Sequence, residues 1–358
     1  MRTGSGPCDV PASLRRISRR RWLRASVASV MLGSSRYGVA QSLPPRQLMT
    51  PDVQRAIDRG LAYLASRQNP DGSFGRGGYG WNVAVVALAG MAFASCGHLP
   101  GRGKYATQVE RCLAYLLNNT EPSGFINAQA FSGPGPMYGH GFATLFLAEI
   151  YGMTDDARVR DRLVRAVALI IATQNDEGGW RYFPQKADAD LSVTICQIMA
   201  LRAAKNAGIF VPNEVVNRCI DYVKRCQNPD GGFMYQLSQP GSSEFPRSAA
   251  GIVALYSAGI YEGPEIEKGL KYLRENMSQR VTFAGSSYYF YGQYYAAQAM
   301  YQAGGDYWRE YYTMIRDHLL RLQRAGGDWA DPICNEYGTA MACIILQMPN
   351  SYLPIFQR

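Results

Sequence analysis

Gln174-Asn175-Asp176-Glu177-Gly178-Gly179-Trp180 decides the reading of the chain, because its pattern of Gln, three residues, Gly, one residue and an aromatic returns three more times. It reads QNPDGSF from Gln68 to Phe74, QNPDGGF from Gln227 to Phe233, and QRAGGDW from Gln323 to Trp329. Degenerate copies around Asn119 to Phe125 and around Met277 to Phe283 fill the gaps, so six anchors stand roughly 46 to 55 residues apart. A fixed period of this length marks a repeat architecture, in which each unit buries its apolar face against its neighbours.

Working outward from Trp180, the preceding segment Arg158 to Gln174 sets Leu163, Val167, Ile170 and Ile171 against Arg158, Asp161, Arg162 and Arg165, the spacing of an amphipathic helix. The following segment, Leu191 to Asn206, is apolar on nearly all sides up to Arg202 and stops before Gly208. The same contrast recurs. Charged helices are predicted from Asp52 to Gln68, Asn213 to Gln227, Pro264 to Met277 and Asp306 to Gln323. Apolar partners are predicted from Asn82 to Cys96, Gly139 to Tyr151, Arg247 to Ala258, Gln293 to Ala303 and Tyr337 to Gln347. Six outer and six inner helices can close on themselves and so bury the ends an open solenoid must cap. The fold class expected is all-α, an (α/α)6 toroid spanning 41–358, with repeats at about 52–97, 104–152, 158–208, 213–259, 264–304 and 306–348. The apolar tail Met348 to Phe356 is expected to seal the last repeat against the first, docking a partner being the alternative.

Residues 1–40 read as a targeting segment. Ser18-Arg19-Arg20-Arg21-Trp22-Leu23-Arg24 resembles the twin-arginine export pattern, followed by the mildly apolar Ala25 to Gly33 and small residues before Gln41. The expected location is therefore periplasmic. This segment holds eight arginines against Asp9, so most of the formal +9 charge of the 358-residue chain lies in it, and a nucleic-acid role loses its main support. No run of 18 apolar residues predicts a membrane span. Seven cysteines follow Cys8, at spacings that suit buried thiols rather than a disulfide framework or a metal site, with Cys196 on an inner helix placed to face the lumen.

The four good copies of the motif resemble the repeat of squalene and hopene cyclases, which share the α/α toroid with protein prenyltransferase β subunits. The resemblance covers the chain from Asp52 onward and implies the fold. The motif itself reads as a staple, with the Gln amide on backbone groups at helix ends and the ring packed on the next repeat. A prenyltransferase zinc site is not implied, since Gly338 stands about where a His ligand would be expected and His98, His140 and His318 lie in unrelated repeats. Complement-type thioester domains are disfavoured by the lack of a Gly-Cys-Gly-Glu-Gln phrase. No metal or cofactor is expected.

Chemistry is expected at the N-terminal ends of the inner helices, where helix dipoles and loops converge on the mouth of the ring. Asp188-Ala189-Asp190-Leu191-Ser192-Val193 resembles the Asp-x-Asp-Asp-Thr-Ala motif of class II terpene cyclases, whose middle Asp is the acid. Asp190 and Asp188 are thus the catalytic candidates, and Leu191 replaces the third acid. The competing reading makes Asp190 a helix cap. Trp81, Tyr138, His140, Arg247, Tyr291, Tyr294 and Glu336 are the candidate pocket residues, His140 because glycines on both sides would let a ligand approach closely. Two functions fit. One is an exported cyclase-like protein that binds or isomerises an isoprenoid or other elongated apolar ligand; the other is a non-catalytic toroidal scaffold for a cell-envelope protein or glycan.

Overall fold

In the computed structural model the described residues are 48–75, 79–128, 135–282 and 288–357. The expected export signal at 1–40 lies outside them. Twelve α-helices are described, alternating between two concentric layers. The outer helices are α1 (Pro51–Arg67), α3 (Ala106–Asn118), α5 (Arg158–Thr173), α7 (Asn213–Arg225), α9 (Pro264–Thr282) and α11 (Gly305–Leu322). The inner helices are α2 (Val83–Ala94), α4 (Pro136–Ile150), α6 (Leu191–Asn206), α8 (Phe245–Ser257), α10 (Tyr289–Ala303) and α12 (Asn335–Gln347). No described helix is long and apolar enough to cross a membrane.

Each inner helix packs on the next, and α12 packs back on α2, so the inner layer is a closed ring. Each outer helix also packs on the inner helix before it, a pattern that α12 and α1 continue across the closure. This is the toroid. Burial follows the layers: α6 is buried on almost every side, whereas α7 buries only Val215, Cys219, Tyr222 and Val223. Side-chain caps set two of the inner-helix starts, with Asn82 Oδ1 accepting from the Ala84 N–H at 2.8 Å and Asp190 Oδ1 accepting from the Val193 N–H at 2.9 Å.

The repeated heptapeptide explains the ring. The amide of Gln174 donates to the Gly178 carbonyl of its own turn and to the Val215 carbonyl at the start of the next outer helix, both at 2.9 Å. Gln227 makes the same pair to Gly231 and Glu265, and Gln323 to Gly327 and Ala56, so the last repeat is stapled to the first as the third is to the fourth and the fourth to the fifth. Gln68 reaches the Gln108 carbonyl at 3.0 Å. The glycine is obligatory: Gly178 has φ +98°, and a Cβ there would stand 2.1 Å from the Arg218 carbonyl oxygen. The aromatic fills the space beneath, with Trp180 and Trp329 almost wholly buried and their indole N–H groups donating to the Ile170 and Leu319 carbonyls.

The structure corrects three expectations. In the second repeat the bridge joins Thr120 to Ile126, as Gln68 joins Phe74, so the degenerate copy sits one residue later than Asn119 to Phe125. In the fifth, α9 runs on to Thr282 rather than ending near Met277, and Phe283 lies outside the described residues. The tail turns inward instead of sealing repeat against repeat: its second short 3-10 turn, Pro354–Phe356, packs on α6, and Phe356 meets the Tyr294 ring edge-on at 6.4 Å. Closure is already supplied by α12 on α1 and α2, by Gln347 donating to the Ala92 carbonyl, and by Arg67 paired with Glu336 at 2.9 Å. The tail's apolar groups are therefore free to fill the lumen.

Replacing Gln174 by Ala would remove the side-chain bonds to the Gly178 and Val215 carbonyls and leave the Arg218 guanidinium without the Gln174 side-chain amide oxygen it donates to. A loss of about 2–4 kcal/mol in unfolding free energy, read from a urea titration, is the expected result.

Candidate functional site

At the N-terminal ends of the inner helices a cavity of about 580 Å³ opens, within the size range of small-ligand sites. Its wall is largely aromatic, with Tyr138 and Phe142 from α4, Tyr291 from α10 and Tyr337 from α12, joined by Tyr182 and Tyr235 from the turns. Ser192 of α6 and Asp331 supply polar groups inside, and Glu244 and Arg247 stand together, 3.4 Å apart. Arg247 also donates to the Phe233 and Ser242 carbonyls, which fixes it.

Of the sequence-nominated residues, Tyr138, Arg247 and Tyr291 line this cavity. Asp190 does not. It is completely buried at the N-cap of α6, where Oδ1 accepts from the Val193 N–H and, at 2.5 Å, from the Ser192 hydroxyl. Oδ2 lies 3.5 Å from Arg181, whose guanidinium is stacked near the Tyr182 and Tyr235 rings. Since Ser192 donates to Asp190, the Tyr138 hydroxyl 2.5 Å away donates to Ser192, and the three groups form a ladder from buried carboxyl to cavity wall. Tyr291 joins it by donating to the Ser192 carbonyl at 3.2 Å. Burial pushes the Asp190 carboxyl up, opposed by the Ser192, Val193 and Arg181 contacts. Both sequence readings of Asp190 thus meet in one side chain: it is a cap, and it is wired to the cavity. Leu191, in place of a third acid, is buried in the core.

The other candidates lie elsewhere. Asp188 is exposed, 3.5 Å from Arg181 and away from the cavity. His140 is completely buried; its Nδ1 accepts from the Ile126 N–H at 3.1 Å, which makes Nε2 the donor to the Ala166 carbonyl at 3.3 Å. Burial lowers it to about 4, so it is neutral at physiological pH. It does for Ile126 what Thr194 does for the Trp180 N–H and Thr339 for that of Trp329. The flanking glycines admit neighbouring helices rather than a ligand, since added Cβ atoms would stand 2.7 Å from Val83 and 2.8 Å from Cys196. Tyr294 is core, Glu336 belongs to the closure, and Cys196 is buried beside Tyr295, its thiol pushed up to about 12 by burial. Trp81, 43% exposed, lies on a separate groove with Asp71, Asn118, Asn127 and Glu121.

Sequence reading missed Tyr182, Tyr235 and Asp331. A signal existed: each stands two residues after a motif aromatic, Trp180, Phe233 or Trp329. The turn that buries the aromatic brings its second successor to the mouth of the ring. Asp331 accepts one hydrogen bond, from the Ile333 N–H at 2.8 Å, and burial raises its carboxyl to about 6.

Comparison with known proteins agrees with this geometry. A family model described as the squalene-hopene cyclase C-terminal domain matches residues 142–302. A drimenyl diphosphate synthase of Streptomyces showdoensis is 28% identical over 194 residues, 53% of this chain and 34% of the relative. Another, of Streptantibioticus cattleyicolor, is 25% identical over 202 residues, 52% of this chain and 33% of the relative. The chain thus spans about a third of the length of the curated relatives it matches. Among solved structures, a variant of the type II terpene cyclase MstE from Scytonema, in complex with its substrate geranylgeranyl dihydroxybenzoate, superposes with a TM-score of 0.62 at 16% identity, over 86% of this chain and 99% of that one. An α-1,6-mannanase of Salegentibacter gives 0.58 at 9% identity, over 83% and 99%. The fold is that of a terpene cyclase-like α/α toroid, and the squalene-cyclase character of the repeat is plain.

Because its folded pKa is raised from the ordinary value of about 4 to about 6, Asp331 holds its proton more tightly in the native state than in the unfolded chain. Its contribution is present below about pH 4 and lost as pH rises through about 6. Asp331→Asn should match the wild type near pH 4 and exceed it by about 1 kcal/mol above pH 6, partial exposure screening the larger linkage value, as urea midpoints at the two pH values would show.

Proposed function

We propose that the lumen cavity binds an elongated apolar molecule of isoprenoid type and isomerises it by proton-initiated chemistry of the class II cyclase kind. The carrying observation is the aromatic cavity joined to a buried carboxyl through the Tyr138–Ser192–Asp190 ladder. Aromatic faces suit an apolar chain and stabilise positive charge developing along it. Burial moves the Asp190 carboxyl upward, the direction that favours a proton donor. In this reading protonated Asp190 reverses the resting direction of the ladder: the Ser192 and Tyr138 hydroxyls rotate, Asp190 passes its proton to Ser192, Ser192 passes its own to Tyr138, and Tyr138 passes its own to a carbon–carbon double bond at the wall. Asp188, outside the cavity, acts at most through Arg181, which lies 3.5 Å from each carboxylate.

The similarity to the drimenyl diphosphate synthases and the MstE fold supports this reading, as does the Asp188-x-Asp190 motif. The twin-arginine-like segment at 1–40 makes the protein an exported, periplasmic one in this reading. Export separates it from cytosolic prenyl diphosphates and favours a neutral isoprenoid. A second reading, a glycan-binding scaffold, has one observation in its favour: the exposed indole of Trp81 beside amides and carboxylates suits a sugar's apolar face and its hydroxyls.

The test incubates the folded chain with farnesol, geranylgeraniol and squalene and follows isomers by gas chromatography–mass spectrometry. Turnover of one of them is expected, abolished in Asp190→Asn and reduced roughly 100-fold in Tyr138→Phe, with both variants melting within a few degrees of the wild type. Full turnover in Asp190→Asn would remove the proton source named here. If no isoprenoid binds while an oligosaccharide quenches Trp81 fluorescence, the scaffold reading takes its place.

A further inference from the structure

The ladder delivers a proton, and an isomerisation must also remove one. Resting on the isoprenoid reading above, we infer that Asp331 is the cavity's base: it faces the cationic form of the ligand and takes the proton that ends the reaction. Asp331 lines the same cavity as Tyr138 and Ser192, but from the opposite end of the chain, in the turn before α12. It makes no ion pair among the described residues, and its one recorded hydrogen bond is from the Ile333 N–H. The titratable groups that act on its surroundings are Tyr337 and Cys334 on or at the start of α12; burial holds Tyr337 well above its usual value and pushes Cys334 up to about 12. Both are neutral at working pH. Across the cavity Glu244 and Arg247 are occupied with each other. A half-buried carboxylate that makes no ion pair among the described residues, in a cavity also lined by Tyr291, Tyr337 and Phe142, is a place where positive charge is stabilised.

The atoms balance. A proton from the ladder adds to one carbon of a double bond, the π electrons form the new C–H bond, and the neighbouring carbon becomes cationic. A C–H bond next to the cation then breaks, its electron pair forms a new double bond, and its proton goes to an Asp331 oxygen. The ligand leaves as an isomer and the proton returns through solvent. The raised pKa suits this task, because the carboxylate predominates at neutral pH yet is basic enough to accept a proton.

The test uses dodecyltrimethylammonium, a fixed cation on an apolar chain, and 1-dodecanol, its neutral counterpart, in calorimetric titrations of the full chain. The wild type should prefer the ammonium roughly tenfold at pH 8 and lose that preference as pH falls through about 6. Asp331→Asn should bind both alike at every pH, the Asn oxygen keeping the Ile333 N–H bond, and Asp331→Glu should restore the preference. If dodecanol binds but the ammonium is not preferred, or the preference survives in Asp331→Asn, the inference is overturned and the apolar-ligand reading stands. If neither probe binds, the apolar-ligand reading fails and takes the inference with it.

Discussion

The glutamine amide of the repeat holds the molecule together. Its two N–H groups are divided between the glycine carbonyl of its own turn and a carbonyl near the start of the next outer helix. An outer helix that binds its successor in this way is fixed in angle as well as distance, because two acceptors on two repeats must both be met. Three glutamines make both bonds and Gln68 the outward one, and Gln323 finds in Ala56 the partner that Gln174 finds in Val215. Ring closure thus uses the repeat's own staple, to which the Arg67–Glu336 pair and the Gln347 bond to Ala92 are added.

The site inherits its geometry from that staple. The turn between Gln and aromatic brings a left-handed glycine against the next helix and drives the ring of Trp180 or Trp329 into the space below. The chain then emerges at the mouth of the lumen, where Tyr182, Tyr235 and Asp331 meet the first turns of the inner helices. The staple and the cavity lining share one segment. The same economy holds at Asp190, whose carboxylate caps α6 and also begins the hydrogen-bonded ladder to Tyr138.

His140 and Glu336 show where residue type misleads. A histidine between two glycines and a glutamate at a helix start look like ligands for something at a pocket mouth. In the fold, His140 accepts the backbone N–H that a threonine accepts in other repeats, and Glu336 binds Arg67 across the closure. Both are buried polar groups taken up by partners within the wall, and a chain read alone does not disclose which partners a closed ring will bring. Tyr138, Arg247 and Tyr291 were legible because helix starts converge by symmetry. Asp331 was hidden because its position depends on a turn, not on a helix.

Sequence alone determined the helical repeat, its two-layer alternation and the closed all-α ring, since these follow from local patterning and from a period that repeats six times. It also determined the staple, because one Gln and one Gly at fixed spacing have a single backbone task. Tertiary structure decided which polar side chains reach the cavity and which are consumed inside the wall. That choice rests on distances of a few ångströms between residues of different repeats, such as the 2.5 Å between Tyr138 and Ser192, which no local pattern encodes. The inward turn of the tail was decided there too, by an apolar lumen that Phe356 could fill once α12 had met α1 and α2.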